Sequence, residues 1–187
     1  LSDLSSGMIR DARRALGRKD KRFSFEVFDC AKIPHKGCNF DLVIANHVLF
    51  YCEDIPAVCN EIQRVLVPGG KLICSTYGSH HMQEVSQLVQ DFDNRIVLSA
   101  DRLYERFGRE NGADILAPYF SDIFWESYND SLLVPDAEPL ISYILSCHGN
   151  QNQYLLDKYK DFRGFVSRKT KDGFFITKDA GIFLCEK

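Results

Sequence analysis

The chain has 187 residues, 45% of them apolar and 26% charged, with 23 Lys plus Arg against 26 Asp plus Glu for a net charge of −3. That length suits one domain, 1–187, able to bury about two thirds of the surface its unfolded form exposes. The charge balance argues against a nucleic-acid partner, and no apolar run approaches the roughly 18 residues that span a bilayer.

Leu1-Ser2-Asp3-Leu4 reads as the end of a strand, and Ser5 or Ser6 can cap a helix carrying Met8, Ile9, Ala12 and Leu16, with Gly17 as its stop. Arg18-Lys19-Asp20-Lys21-Arg22 is a charged surface turn, and the alternating, aromatic-rich Phe23-Ser24-Phe25-Glu26-Val27-Phe28-Asp29 is a strand. A loop with Pro34 and Gly37 fills 30–39.

Phe40-Asp41-Leu42-Val43-Ile44-Ala45-Asn46 is a short apolar run that reads as a buried strand and turns polar at its carboxyl end. Ile55, Val58, Ile62, Val65 and Leu66 share one face of a helix over 54–66, which Pro68-Gly69-Gly70 stops as a turn. Lys71-Leu72-Ile73-Cys74-Ser75-Thr76-Tyr77 is the next strand. Strand, helix and strand make a right-handed crossover with parallel strands, and in such sheets ligands sit at the strands' carboxyl ends. That places Asn46-His47 and Ser75-Thr76-Tyr77 at a site.

A helix follows with Met82, Val85, Leu88, Val89 and Phe92 on one face, then short helices over 100–107 and 113–119. Residues 122–128 read as a strand, 136–147 and 151–169 as helices, and 174–177 and 181–185 as strands parted by Lys178-Asp179-Ala180. Segments 94–120 and 136–170 are candidate caps over the ligand face, with packing on the sheet flank as the alternative. The seven cysteines lack CxxC pairs or histidine spacing suited to zinc, so no metal site is expected and reduced thiols in a cytoplasm are.

Asn39-Phe40-Asp41-Leu42-Val43, followed by Glu61-Ile62-Gln63-Arg64-Val65-Leu66-Val67-Pro68-Gly69-Gly70-Lys71-Leu72, resembles the core of class I S-adenosylmethionine-dependent methyltransferases. Asp3-Leu4-Ser5 with Gly7-Met8-Ile9 is similar to that family's "D-x-S-x-x-M-I" after its second strand. The likeness is clear over 1–78 and looser beyond. It implies an α/β, Rossmann-like three-layer sandwich, mostly parallel with an antiparallel C-terminal strand. It also implies that the first βα unit and its glycine-rich turn are missing, so that the chain alone binds S-adenosylmethionine weakly or not at all.

On that resemblance Asp3 accepts from the ribose hydroxyls, Leu4 and Met8 pack on adenine, and Asp29-Cys30 meets the adenine amino group. Asn46 and His47 lie beside the methionine portion, and His47 is the candidate base because its ordinary pKa is near neutrality. Tyr51, Tyr77 and His81 face the substrate. Structural readings stand beside each: a capping role for Asp3, core packing for Leu4, Met8 and Phe50-Tyr51, and a surface turn for Asp29. His47 could make a structural hydrogen bond, His80-His81 could open a helix in solvent, and Arg109-Glu110-Asn111 could be a solvated loop. The leading function is methyl transfer to a small molecule. The rivals are a methyltransferase acting on RNA or protein, a nicotinamide-dependent dehydrogenase, and a non-catalytic assembly module in which exposed apolar surface drives homodimerisation.

Overall fold

A computed structural model describes residues 1–17, 20–99 and 102–187. Lys19 of the expected charged turn, with its neighbour Arg18, lies outside the described residues, as do the first two residues of the helix expected over 100–107. The chain forms two compact units: Leu1–Cys74 with Ala113–Phe124 and Phe183–Lys187, and Ser75–Gly112 with Trp125–Ile182.

In the first unit, β1 (Ser2–Asp3) leads into α1 (Ser6–Leu16). Ser5 Oγ accepts the Met8 N–H at 3.3 Å, and Gly17 ends the helix at φ +88°, a backbone state that glycine adopts without a Cβ clash. β2 (Glu26–Val27) pairs with β1 in parallel, Ser2 against Glu26 and Asp3 against Val27. The strand expected over 23–29 is therefore two residues long. Its ladder cannot outrun its two-residue partner, and Phe25 instead lies under the Arg13 guanidinium.

β3 (Phe40–Asn46), a 3₁₀ turn (Leu49–Tyr51), α2 (Ile55–Val65) and β4 (Leu66–Tyr77) form the strand–helix–strand core. Asp54 Oδ1 accepts the Ala57 N–H at 2.9 Å to start α2, whose Ile55, Val58, Cys59, Ile62 and Val65 are buried. The helix ends one residue earlier than expected. Leu66 is extended at φ −71°, ψ 142°, and β4 runs straight through Pro68-Gly69-Gly70. Those residues are a paired strand start and not a free turn: Gly69 N–H donates to the Lys187 carbonyl at 3.2 Å, and Lys187 N–H to the Gly70 carbonyl at 2.9 Å.

The four-stranded sheet has the order β3-β4-β6-β5, with β5 at Ser121–Val134 and β6 at Phe174–Glu186. The Gly70–Lys187 pairing sets the start of β4 against the end of β6, so β6 runs antiparallel to β4. β3 has a sheet neighbour on one side only, and Leu42 and Ile44 are 45% and 57% exposed. The reading of Phe40–Asn46 as a buried strand is corrected accordingly. Among the buried thiols of this unit, burial pushes Cys59 up to about 11 and Cys185 up to about 12, and raises Cys74 as well.

In the second unit α3 (Gln83–Phe92), α6 (Ala137–Ser146), α7 (Gln151–Leu155) and α8 (Tyr159–Lys169) build an apolar core. Phe162, fully buried, meets Phe92 edge-on with ring centroids 5.1 Å apart. One helix was expected over 151–169; two form, and nothing in the residue types at 156–158 explains the break. α4 (Leu103–Arg106) and α5 (Gly112–Leu116) are short. β6 is continuous where two segments were expected. Lys178 pairs with Asp130 at 2.7 Å and the Asp179 carbonyl accepts the Gly78 N–H at 2.8 Å, so the polar residues sit in the ladder. Gly181 packs against β5 so closely that a Cβ there would stand 2.3 Å from the Glu126 carbonyl oxygen.

Candidate functional site

In the first unit, parallel pairing puts the carboxyl ends of β1 and β2 at one edge, Asp3 beside Val27 with Asp29 two residues further on. The Cys30 and Cys52 sulfurs are 3.5 Å apart, which ties the end of β2 to the turn that follows β3 and carries Asn46, His47 and Tyr51. Sequence-distant segments therefore meet where a ligand of a parallel sheet would sit.

Asp3 Oδ1 accepts the Ser5 N–H at 2.7 Å and Asp29 Oδ1 the Ala31 N–H at 2.8 Å, so each acid shapes its own turn with one oxygen. Leu4 and Met8 are 73% and 59% exposed and do not belong to the core. Asn46 and His47 are exposed, and His47 has φ +49°, with its ring 5.9 Å from that of the buried Phe50. Tyr51 is 66% exposed. The bond with Cys52 is the main cause that lowers the Cys30 thiol to about 7, against the opposing effects of burial and the Asp29 charge. Cys52 is among the thiols expected to be reduced, and nothing in its spacing links it to Cys30.

In the second unit Tyr77 ends β4 and faces His81 at a 5.3 Å centroid distance and Tyr104 at 6.3 Å. Thr76, fully buried, donates to the Phe107 carbonyl at 2.7 Å, and Arg109 N–H donates to the Tyr77 carbonyl at 3.2 Å. The segment 107–111 is thus fastened to the end of β4, with Arg109 and Glu110 exposed to solvent. Ser79 N–H and Oγ both donate to Glu110 Oε1 at 3.0 Å, and Arg109 pairs with Asp179 at 2.7 Å.

Residues 1–74 match the family model described as a methyltransferase domain. A 94-residue stretch is 33% identical to the biotin biosynthesis bifunctional protein BioHC of Saccharophagus degradans, covering 50% of this chain and 17% of that protein. The family match therefore covers the first 74 residues, and over that stretch the chain is similar to methyltransferases. In its fold the chain is similar to a Bacillus halodurans protein assigned as a methyltransferase, with TM-score 0.63 and 14% identity, over 100% of this chain and 81% of that one. It is also similar to the Haemonchus contortus phosphoethanolamine N-methyltransferase 2 solved with S-adenosyl-L-methionine (TM-score 0.54, 19% identity, 100% and 42% coverage). The Rossmann-like α/β expectation holds, including the antiparallel final strand. The chain spans under a fifth of the length of the BioHC relative. No helix among the described residues is long and apolar enough to cross a membrane.

Proposed function

We propose that this chain supplies the cofactor edge and part of the acceptor site of a methyltransferase acting on a small molecule. The observation that carries the reading is the joining of the β1, β2 and β3 carboxyl ends, with Leu4 and Met8 held out of the core beside Asp3. Exposed apolar side chains next to an acceptor-only carboxylate suit adenosine, which has two flat apolar faces and a ribose with two hydroxyl donors. In this reading Asp3 accepts from the ribose, Leu4 and Met8 flank the adenine, and Asp29 and Cys30 border its amino group. Asn46 and His47 take the amino-acid end.

S-adenosylmethionine, when bound, supplies a methyl group on a positively charged sulfur. The protein's share is to orient the acceptor for in-line attack and, where the acceptor carries a proton, to remove it. His47 is the base in this proposal, held at the end of β3. Tyr51, which follows β3 in the same unit, borders the acceptor. Titration of S-adenosylhomocysteine into protein carrying this sequence tests the reading. Asp3→Ala weakens binding by about tenfold or more, as expected when a charged acceptor is removed from a ligand hydroxyl. Unchanged affinity in that variant, or preferential binding of NAD, overturns it.

A further inference from the structure

Outside the cofactor edge, the second unit gathers three metal-ligating side chains from three separate segments. His80 follows β4, Glu110 precedes α5, and Asp179 lies within β6. One ligand atom from each lies within 4.8 Å of the others, and His80 Nδ1 is 3.8 Å from Asp179 Oδ2. Asp179 is only 9% exposed, and its Oδ2 is buried without a hydrogen-bond partner. A buried carboxylate oxygen in that state is costly unless a ligand or cation completes it. Arg109 does not complete it, since the guanidinium is bound to the other oxygen, Oδ1.

Gly78 shows that the oxygens converge. A Cβ placed there would stand 2.3 Å from Asp179 Oδ2 and 2.9 Å from Glu110 Oε1. Both atoms therefore face the same small volume, which any side chain at 78 would fill. Glu110 is held in place by the two Ser79 bonds, while the His80 side chain is 69% exposed with its Nδ1 3.4 Å from Ser79 Oγ.

We propose that His80, Glu110 and Asp179 form a binding site for a first-row divalent cation such as Zn²⁺ or Mn²⁺. One imidazole nitrogen and two carboxylate oxygens are the donor set these ions take, leaving further positions for water or a ligand oxygen. Donors bonded at about 2.1 Å in a tetrahedral arrangement stand about 3.4 Å apart. The His80–Asp179 separation is already near that value. The charge is suitable: two carboxylates against the single Arg109 cation leave a net negative site. This inference does not depend on the methyl-transfer reading.

Co²⁺ titration followed by visible absorption tests it, because the spectrum also reports the ligand type. The wild-type protein binds one equivalent with d–d bands and no sulfur-to-cobalt charge transfer. His80→Ala and, separately, Asp179→Asn and Glu110→Gln each weaken Co²⁺ by more than about tenfold. His80 is exposed, so its variant folds irrespective of the other two, and circular dichroism checks all three. Lack of saturable binding, thiolate charge-transfer bands from the cysteines, or an affinity unchanged in His80→Ala overturns the proposal.

Discussion

Removing the Cys52 sulfur should raise the pKa of Cys30, and the structure allows the size to be worked out. The Cys30 thiol stands near 7 chiefly because Cys52 bonds to it, while burial and Asp29 push the other way. In Cys52→Ala those two opposing effects face only the smaller lowering by the backbone bonds at Cys30 and Ala31, so the Cys30 midpoint should move to about the ordinary thiol value of 8.5. At pH 7 the thiolate fraction falls from about one half to about 3%, roughly 16-fold. The stronger base is also the better nucleophile, which returns about fivefold over that range for a Brønsted slope near 0.45. The net loss in exchange rate with an aromatic disulfide is then about threefold at pH 7, widening to about sixfold at pH 6. Rates are followed for Cys30 by peptide mass mapping across pH 5–9, as a handful of cysteines react together. Cys52→Ser keeps a hydrogen-bond donor and should retain the low midpoint, and Asp29→Asn should lower it further. A Cys52→Ala profile that superimposes on the wild type would refute the reasoning.

Thr76→Val keeps the volume but removes the donor to the Phe107 carbonyl, at a cost of about 1–2 kcal/mol. Thermal unfolding should shift down by about 2–8 °C for a chain of this size; an unchanged midpoint would show that the hydroxyl is dispensable. Glu84 accepts from the Thr177 N–H at 2.9 Å and from its hydroxyl. Burial raises its pKa, but those bonds outweigh it and the net value is lowered from the ordinary 4.5. A lowered carboxyl stabilises the fold above about pH 4.5, and the gain is lost as pH falls through the folded value. Urea midpoints from pH 6 to 3 should therefore drop more steeply in the wild type than in Glu84→Gln, and parallel curves would contradict the assignment.

The central strand–helix–strand was legible because its two apolar periods differ sharply and Asp54 and Pro68 bracket the helix. What failed in the reading depends on partners, which a single segment does not carry. The strand over 23–29 had the right residue types, but its length is set by the two-residue β1. Leu42 and Ile44 look like core residues and stand exposed because β3 ends its sheet. Of the candidate cofactor residues, the joining of Asp29-Cys30 with the turn after Asn46 was foreseeable from strand order, whereas the Cys30–Cys52 contact was not. The cluster at His80, Glu110 and Asp179 left one weak trace, an acid between the two apolar runs of the closing strand.

The motif that carries the family resemblance proves on inspection to be a clamp. Arg64 forks onto Glu61 at 2.7 and 2.8 Å and reaches the Ile33 and His35 carbonyls at 2.9 and 2.8 Å, while Glu61 accepts the Ile33 N–H at 2.9 Å. The Arg64 and Val65 carbonyls accept the Cys38 and Asn39 N–H groups at 3.0 and 2.7 Å. The end of α2 thereby pins the whole loop between β2 and β3, and that pin sets where Asp29-Cys30 lies relative to the turn after β3. A lysine at 64 could not make the planar fork and the two carbonyl bonds together. The residues most diagnostic of the family thus position the candidate cofactor edge without touching a ligand, and they say nothing of the acceptor.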